Sequence, residues 1–261
     1  MLLLESRRKL VRSGTLIWLA LGLPLLAASA EAPSAAIRNA PVARNETLVI
    51  GESQGTAEAP AFTLALIDQF SRKGPVVFGV ELSLDSTALP CGGAGAALPA
   101  SWKKDRADGR TSIAMHNLVC GVERLAERRR ITMVFLDDRS SGKPYDVDAA
   151  SKFADALKAA PKATGVILTG NFHARNSPGS LTSNIRAAGV RVVSATQSTD
   201  FEGSTTWQCT TAGCGAHPVS LQFCDGSGPS APIEWMPSAD SCWDKCLSFP
   251  RLSASPPFDG S

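Results

Sequence analysis

The sequence predicts an α/β protein: a mainly parallel sheet with helices on both faces, followed by a cysteine-rich C-terminal tail. Two observations carry this reading. From residue 46 to 200, β-branched runs alternate with stretches of helical period, and such alternation argues parallel strands joined by helical crossovers. Beyond residue 200 the alternation stops, and five of the seven cysteines follow: Cys209, Cys214, Cys224, Cys242 and Cys246.

Residues 1–30 read as an export signal. Arg7, Arg8, Lys9 and Arg12 form a positive start, and Thr15 to Leu26 is apolar apart from Thr15. Ala28-Ser29-Ala30 then offers a small-residue cleavage site. The apolar run is shorter than the roughly 18 residues of a spanning helix, so no stable membrane span is expected after cleavage. Ser6-Arg7-Arg8-Lys9-Leu10-Val11-Arg12 is similar to a twin-arginine signal. Both that route and general export are open, to a periplasmic or secreted destination.

Residues 31–45 are small, polar and Pro-containing, and read as a linker. Glu46 to Ile50 is the first strand, and Ala57 to Arg72 the first helix, with Thr56 as its N-cap and Pro60 tolerated in the first turn. Pro75 to Leu82 is the second strand. Ser83 to Asp108 is a long loop rich in Gly, Ala and Pro, a length that marks functional loops. Arg110 to Arg130 reads as a helix, Ile131 to Asp137 as a strand and Ala149 to Ala160 as a helix. Gly165 to Gly170, Leu181 to Ala188 and Val190 to Ala195 complete the strand, helix and strand of residues 46–200. Residues 201–261 form the tail, with a polar, frayed end.

Cysteine clustering predicts disulfides stapling the tail in an oxidising compartment. The alternative is a zinc site built from Cys209, Cys214, His217 and Cys224, although their spacing is irregular. An odd count leaves at least one thiol free or intermolecular. The chain is 44% hydrophobic and 19% charged with a net charge of +2, which excludes a disordered chain. It carries no basic run interleaved with aromatics, so nucleic acid is not an expected partner.

In an open parallel sheet, ligands bind beyond the carboxyl ends of the strands. The predicted strands deliver Glu52, Ser53 and Gln54, then Glu81, then Asp137 and Asp138, then Asn171 and His173 to that edge. Carboxylates gathered near a histidine need a ligand, a metal or one another.

Gly51-Glu52-Ser53-Gln54-Gly55-Thr56-Ala57-Glu58-Ala59-Pro60 resembles the first motif of the erythromycin esterase/ChaN-like/Tiki superfamily. Gly170-Asn171-Phe172-His173-Ala174 resembles its GNxH motif. Between them, Gly79-Val80-Glu81, Trp102 and Asp108 to Met115, which includes Arg110, are also similar to that family. The superfamily holds esterases, metal-dependent proteases and haem-binding uptake proteins. By position the resemblance implies catalytic roles for Glu52, Glu81, Asn171 and His173, and ligand contacts for Ser53, Gln54, Glu58, Arg110 and Asp138. It also implies a divalent metal on Glu52 and His173, or haem, as cofactor. Gln54 stands where the family usually has His, and an amide is neither a general base nor a good metal ligand. Asp146 to Phe153 is a poor match to the family's basic, Met-containing signature.

Gly51-Glu52-Ser53-Gln54-Gly55 also fits a nucleophile elbow, with Asp137 or Asp138 and His173 completing a triad. Its place after the first strand, with no oxyanion loop upstream, argues against that fold. The sequence therefore predicts a hydrolase for an ester or peptide bond in a small-molecule or peptide ligand. The alternative is a non-catalytic binder of haem or another small ligand with a degenerate site.

Overall fold

A computed structural model describes residues 32–83, 91, 99–138, 140–199, 201–211, 213–225 and 232–259. The predicted export signal, and residues 84–90 and 92–98 of the predicted long loop, lie outside the described residues. Five strands follow the predicted order: β1 (Thr47–Glu52), β2 (Val76–Val80), β3 (Ile131–Phe135), β4 (Thr164–Gly170) and β5 (Val192–Ser198). The tail adds β6 (Thr205–Thr210), β7 (Gly213–Pro218), β8 (Glu234–Pro237) and β9 (Lys245–Ser248). Seven strands form one sheet in the order β3-β2-β4-β1-β5-β9-β8, and β6 pairs with β7 in a separate hairpin. Every pairing in the large sheet is parallel except β8 with β9.

The strands alternate between two cores, as the pleat requires. Leu48, Ile50, Phe78, Val80, Val166 and Leu168 face one core, while Val49, Val77 and Ile167 face the other. On the first face α2 (Glu58–Lys73) contributes Phe62, Leu66 and Ile67, and α4 (Ile113–Ala126) contributes Met115, Leu118 and Val122. On the second face α5 (Tyr145–Ala159) contributes Phe153, and α6 (Leu181–Ala187) contributes Leu181 and Ile185. Each such side chain stabilises by about 1.5–3 kcal/mol when fully buried. Two short helices complete the set, α1 (Ala32–Arg38) and α3 (Ala100–Lys104).

Several boundaries differ from the sequence reading, for identifiable reasons. The linker contains α1, which docks because Trp235 Nε1–H donates to Ala36 O at 2.8 Å and Gln69 Nε2–H donates to Ile37 O at 3.0 Å. Thr56 does not cap α2. Its hydroxyl donates to Ser53 O and accepts from Gln197 Nε2–H, and the cap position is Ala57. The helix predicted from Arg110 starts at Ile113, because Ser112 Oγ accepts the Met115 N–H and Thr111 turns away to donate to Trp102 O. α5 starts one turn earlier than predicted, directly after Pro144.

The tail is woven into the sheet. β9 extends it beside β5, burying Cys246 and Leu247, and Phe249 and Leu252 enter the first core. Its end is also anchored, with Ser112 bridged to Pro257 and the Phe258 ring stacked on His116 at 3.6 Å. Disulfides join Cys91 to Cys120, Cys209 to Cys214 and Cys224 to Cys246, leaving Cys242 as the free cysteine among the described residues. Those bonds consume the thiols a zinc site at Cys209, Cys214 and Cys224 would need. Three disulfides suit an oxidising compartment. Among the described residues, no helix is long and apolar enough to cross a membrane.

Candidate active site

Strands β2, β4 and β1 are adjacent, so their carboxyl ends open on one pocket of about 520 Å³. The chain is close-packed there. A Cβ on Gly51 would lie 2.7 Å from Asn171 Oδ1 and 2.8 Å from the Ala174 Cβ, so a glycine lets the turn after β4 close over the end of β1. Asn171 is fixed by that turn: its N–H donates to Glu52 O at 3.1 Å, and its Oδ1 accepts from Thr196 Oγ1–H at 2.8 Å. Gln197, fully buried on β5, accepts the Ser53 N–H at 2.8 Å and holds the loop after β1.

Glu81 is a buried carboxylate with both oxygens bonded. Its Oε2 accepts from Thr169 Oγ1–H and from the Gly170 N–H, both at 2.7 Å. Its Oε1 accepts from Arg110 Nη1–H at 3.1 Å, and the same guanidinium reaches Asp108 at 2.8 Å. His173 sits beside this group with Nε2 at 3.8 Å from Glu81 Oε1. Its Nδ1 lies 2.8 Å from Asp146 Oδ1, and its ring packs edge-on against Tyr145 at 4.5 Å. Burial works against a charged imidazole. The Asp146 hydrogen bond and the Glu81 charge outweigh it and raise the His173 pKa above 6.5. Burial, then the charge of Glu81, pushes the Tyr145 phenol well above its ordinary value, so it stays neutral.

Glu52 is the opposite case. It is buried, its Oε2 has no hydrogen-bond partner among the described residues, and burial with the Glu81 charge raises its pKa well above 4.5. A protonated Glu52 is a carboxylic acid able to donate a proton or a hydrogen bond into the pocket.

The tail supplies the pocket's remaining wall through Thr206, Gln208, Cys209, Leu221 and Phe223. Thr206 Oγ1–H donates to Gln54 O, and the Trp207 N–H donates to Gly55 O at 2.9 Å. Gly55 and Gly109 both have φ +80, and a Cβ on Gly109 would lie 2.5 Å from Gly55 Cα. Only glycine permits this backbone approach. The disulfide Cys209–Cys214 crosses the β6–β7 hairpin at its outer end.

Seven of the nine residues predicted from sequence meet at this pocket: Glu52, Ser53, Gln54, Glu81, Arg110, Asn171 and His173. Two do not line it. Glu58 Oε2 accepts the Ser253 N–H at 2.9 Å, so this carboxylate holds the tail. Asp138 pairs with Lys152 at 2.9 Å, and its pKa falls to about 2, first through the Ser140 hydroxyl and then through Lys152. The elbow triad is not assembled either. His173 takes Asp146 rather than Asp137 or Asp138, and among the described residues no hydrogen bond joins Ser53 Oγ to His173.

The residues that sequence reasoning passed over are Asp146 and Tyr145, together with the tail's wall. A signal for the first two exists: Pro144 followed by an acidic first turn, Asp146 and Asp148, marks a helix start. Nothing in the tail's sequence points to Thr206 or Phe223.

The donors do not fit a divalent cation on Glu52 and His173. Among the described residues, no group of three or more His, Cys, Asp or Glu is placed to hold a metal. Glu52 favours its neutral form, and Arg110 already satisfies Glu81. Haem fits no better, since its faces need apolar walls and one wall here is Glu52, Glu81, Asp108 and Arg110.

No family model and no curated protein matches the chain. Among solved structures, a Bacillus cereus protein aligns with a TM-score of 0.53 at 10% identity, over 87% of this chain and 95% of that one. The type III effector HopBA1 aligns at 0.46 and 14% identity, over 83% of this chain and 90% of that one. RRSP, a MARTX toxin effector domain from Vibrio vulnificus, aligns at 0.35 and 15% identity, over 69% of this chain and 36% of that one. At 10% identity the likeness to the Bacillus cereus protein is one of fold.

Proposed function

We propose that this chain is an exported hydrolase of the erythromycin esterase/ChaN-like type, cleaving an ester or peptide bond in a small-molecule or peptide substrate. One observation carries the reading: Asp146 engages His173 Nδ1 at 2.8 Å, leaving Nε2 as the free ring nitrogen in a pocket that also holds buried Glu52. The three disulfides support a periplasmic or secreted destination.

The chemistry follows from these positions. Asp146 accepts the Nδ1–H and fixes the tautomer, so Nε2 carries the lone pair. Nε2 takes a proton from water as the water oxygen bonds to the substrate's acyl carbon. The imidazolium so formed lies 3.8 Å from Glu81 Oε1, whose negative charge stabilises it. Protonated Glu52 and the Arg110 guanidinium are the donors for the developing oxyanion. Collapse then breaks the bond to the leaving group, which receives the proton from Nε2.

The test is hydrolysis of a panel of esters and short peptides by protein exported with its disulfides, wild type beside His173→Ala. Loss of roughly 10²–10⁴ in kcat is expected for a general base; a His173→Ala variant as active as wild type would refute the assignment. A second reading, a non-catalytic binder of a small polar ligand, is favoured by Gln54, which contributes no titrating group to the pocket wall. A blank hydrolysis panel with a His173-dependent ligand affinity would select it.

A further inference from the structure

At the opposite end of the sheet, the loops leading into β1, β2, β3 and β4 surround a second pocket, of about 640 Å³. Its rim carries Arg44, Lys73, Arg130 and Lys162, and among the described residues no Asp or Glu contributes to its wall. Among the described residues, none of the four has an ion-pair or hydrogen-bond partner for its side chain, whereas nearby Arg129 and Arg191 are paired with Asp68 and Glu46. The four come from different parts of the chain: the loop before β1, the last turn of α2, the residue before β3 and the turn after α5. Four like charges gathered around one concavity repel each other unless an anion joins them.

The backbone adds an independent observation. Among the described residues, only two that are not glycine have positive φ, Asn45 at 65° and Lys162 at 71°. Both line this pocket. The left-handed region is unfavourable for a lysine, and such conformations gather where a site dictates side-chain direction. Half-buried Phe70 and Pro75 also line it, and a volume of about 640 Å³ leaves room for more than one small ion.

We infer that this pocket is a binding site for an anion carrying two or more phosphoryl groups. Arg44 and Arg130 supply planar forks suited to phosphoryl oxygens, and Lys73 and Lys162 supply point charges. A single monoanion would leave most of the rim's charge unanswered. The phosphoryl groups could belong to a soluble compound or to a lipid headgroup, and the experiment separates these sources.

The measurement is calorimetric titration of the full exported chain with inorganic pyrophosphate at low and at moderate salt. Wild type beside Lys73→Gln/Lys162→Gln and the control Lys158→Gln, whose lysine pairs with Asp155 outside the pocket, makes the set. Binding that weakens as salt rises, falls at least tenfold in the double variant and is unchanged in the control is the expected result. Equal binding by the double variant, or no binding by wild type up to millimolar pyrophosphate, overturns the inference. In a parallel flotation assay, phosphatidylglycerol vesicles that retain wild type until pyrophosphate displaces it assign the site to a headgroup. Vesicles that never retain it, with pyrophosphate still binding, assign a soluble ligand.

Discussion

At the carboxyl end of the sheet, charge is buried and interlocked: Glu81 is held by Thr169, Gly170 and Arg110, and His173 by Asp146. At the amino end, Arg44, Lys73, Arg130 and Lys162 stand exposed around a concavity that no carboxylate lines among the described residues. The contrast separates two kinds of site. Interlocked groups hold each other at defined pKa values, which acid–base chemistry requires. Unpaired surface charges attract a ligand without tuning one another closely, which is sufficient for binding. Substitutions at the first end should therefore alter chemistry and pH response, and those at the second should alter little beyond ligand affinity and salt response.

The largest effect expected is at His173. Its replacement by alanine removes the proposed base and is predicted to lower kcat by about 10²–10⁴, with the fold intact because the side chain is partly exposed at the pocket. Asp146→Asn should follow, and it carries a pH signature. Asp146 is a principal cause of the raised His173 pKa. A base works when neutral, so wild-type kcat/KM should climb as pH rises through a value above 6.5. In Asp146→Asn that midpoint should move to lower pH while the plateau drops, as the tautomer loses its anchor. An unmoved midpoint in the pH–rate profile would break the link between the two residues.

How much of this was legible beforehand depended on whether residues close in space are close in sequence. The alternating pattern specified five parallel strands, and the strand-end rule located Glu52, Glu81 and His173 because each lies within a few residues of its strand. Asp146 is not legible in the same way, because the helical period begins at Ala149 and leaves the whole first turn of α5 looking like a loop. The tail's role was hidden for a different reason. β9 joins the sheet beside β5 through backbone hydrogen bonds that a short strand does not advertise, and Thr206 and Phe223 are held at the pocket by residues far off in sequence, Gln54 and Ser198. The four cations at the amino end are likewise invisible in sequence, since the fold draws them from four separate segments.

Glu52 offers a thermodynamic test with no substrate. A carboxyl whose folded-state pKa is raised contributes stability that is full below its ordinary value of 4.5 and is lost as pH climbs toward the folded value. Wild type should therefore lose stability relative to Glu52→Gln as pH rises from 4.5, by at most about 1.4 kcal/mol per pH unit. Denaturant melts of both proteins across this range supply the difference. A constant gap would mean that Glu52 titrates normally and is not the neutral acid of the pocket.

Smaller again is the effect expected at Phe172. It is 73% exposed at the pocket rim, and its ring rests on the Arg175 guanidinium at 4.4 Å. An aromatic face so placed is suited to pack against bound substrate rather than to hold the fold. Phe172→Ala should raise KM severalfold, about 1 kcal/mol of binding, with kcat unchanged and stability within about 0.5 kcal/mol of wild type. A fall in kcat at constant KM would instead place the ring in positioning of His173.

The least effect is expected at the amino end, and it tests the comparison most directly. If Arg44, Lys73, Arg130 and Lys162 repel one another in the ligand-free protein, removing one charge relieves the others. Lys162→Gln keeps an unbranched-at-Cβ polar side chain at the same left-handed position, so charge is the main variable. Its thermal midpoint should rise at low salt by an amount corresponding to a few tenths of a kcal/mol and coincide with wild type at high salt, where exposed charges are screened. Added pyrophosphate should reverse the order at low salt, because a ligand stabilises the protein that binds it more tightly. A midpoint that falls equally at both salt concentrations would mean that Lys162 has a structural partner, and that the amino end is interlocked in the same manner as the carboxyl end.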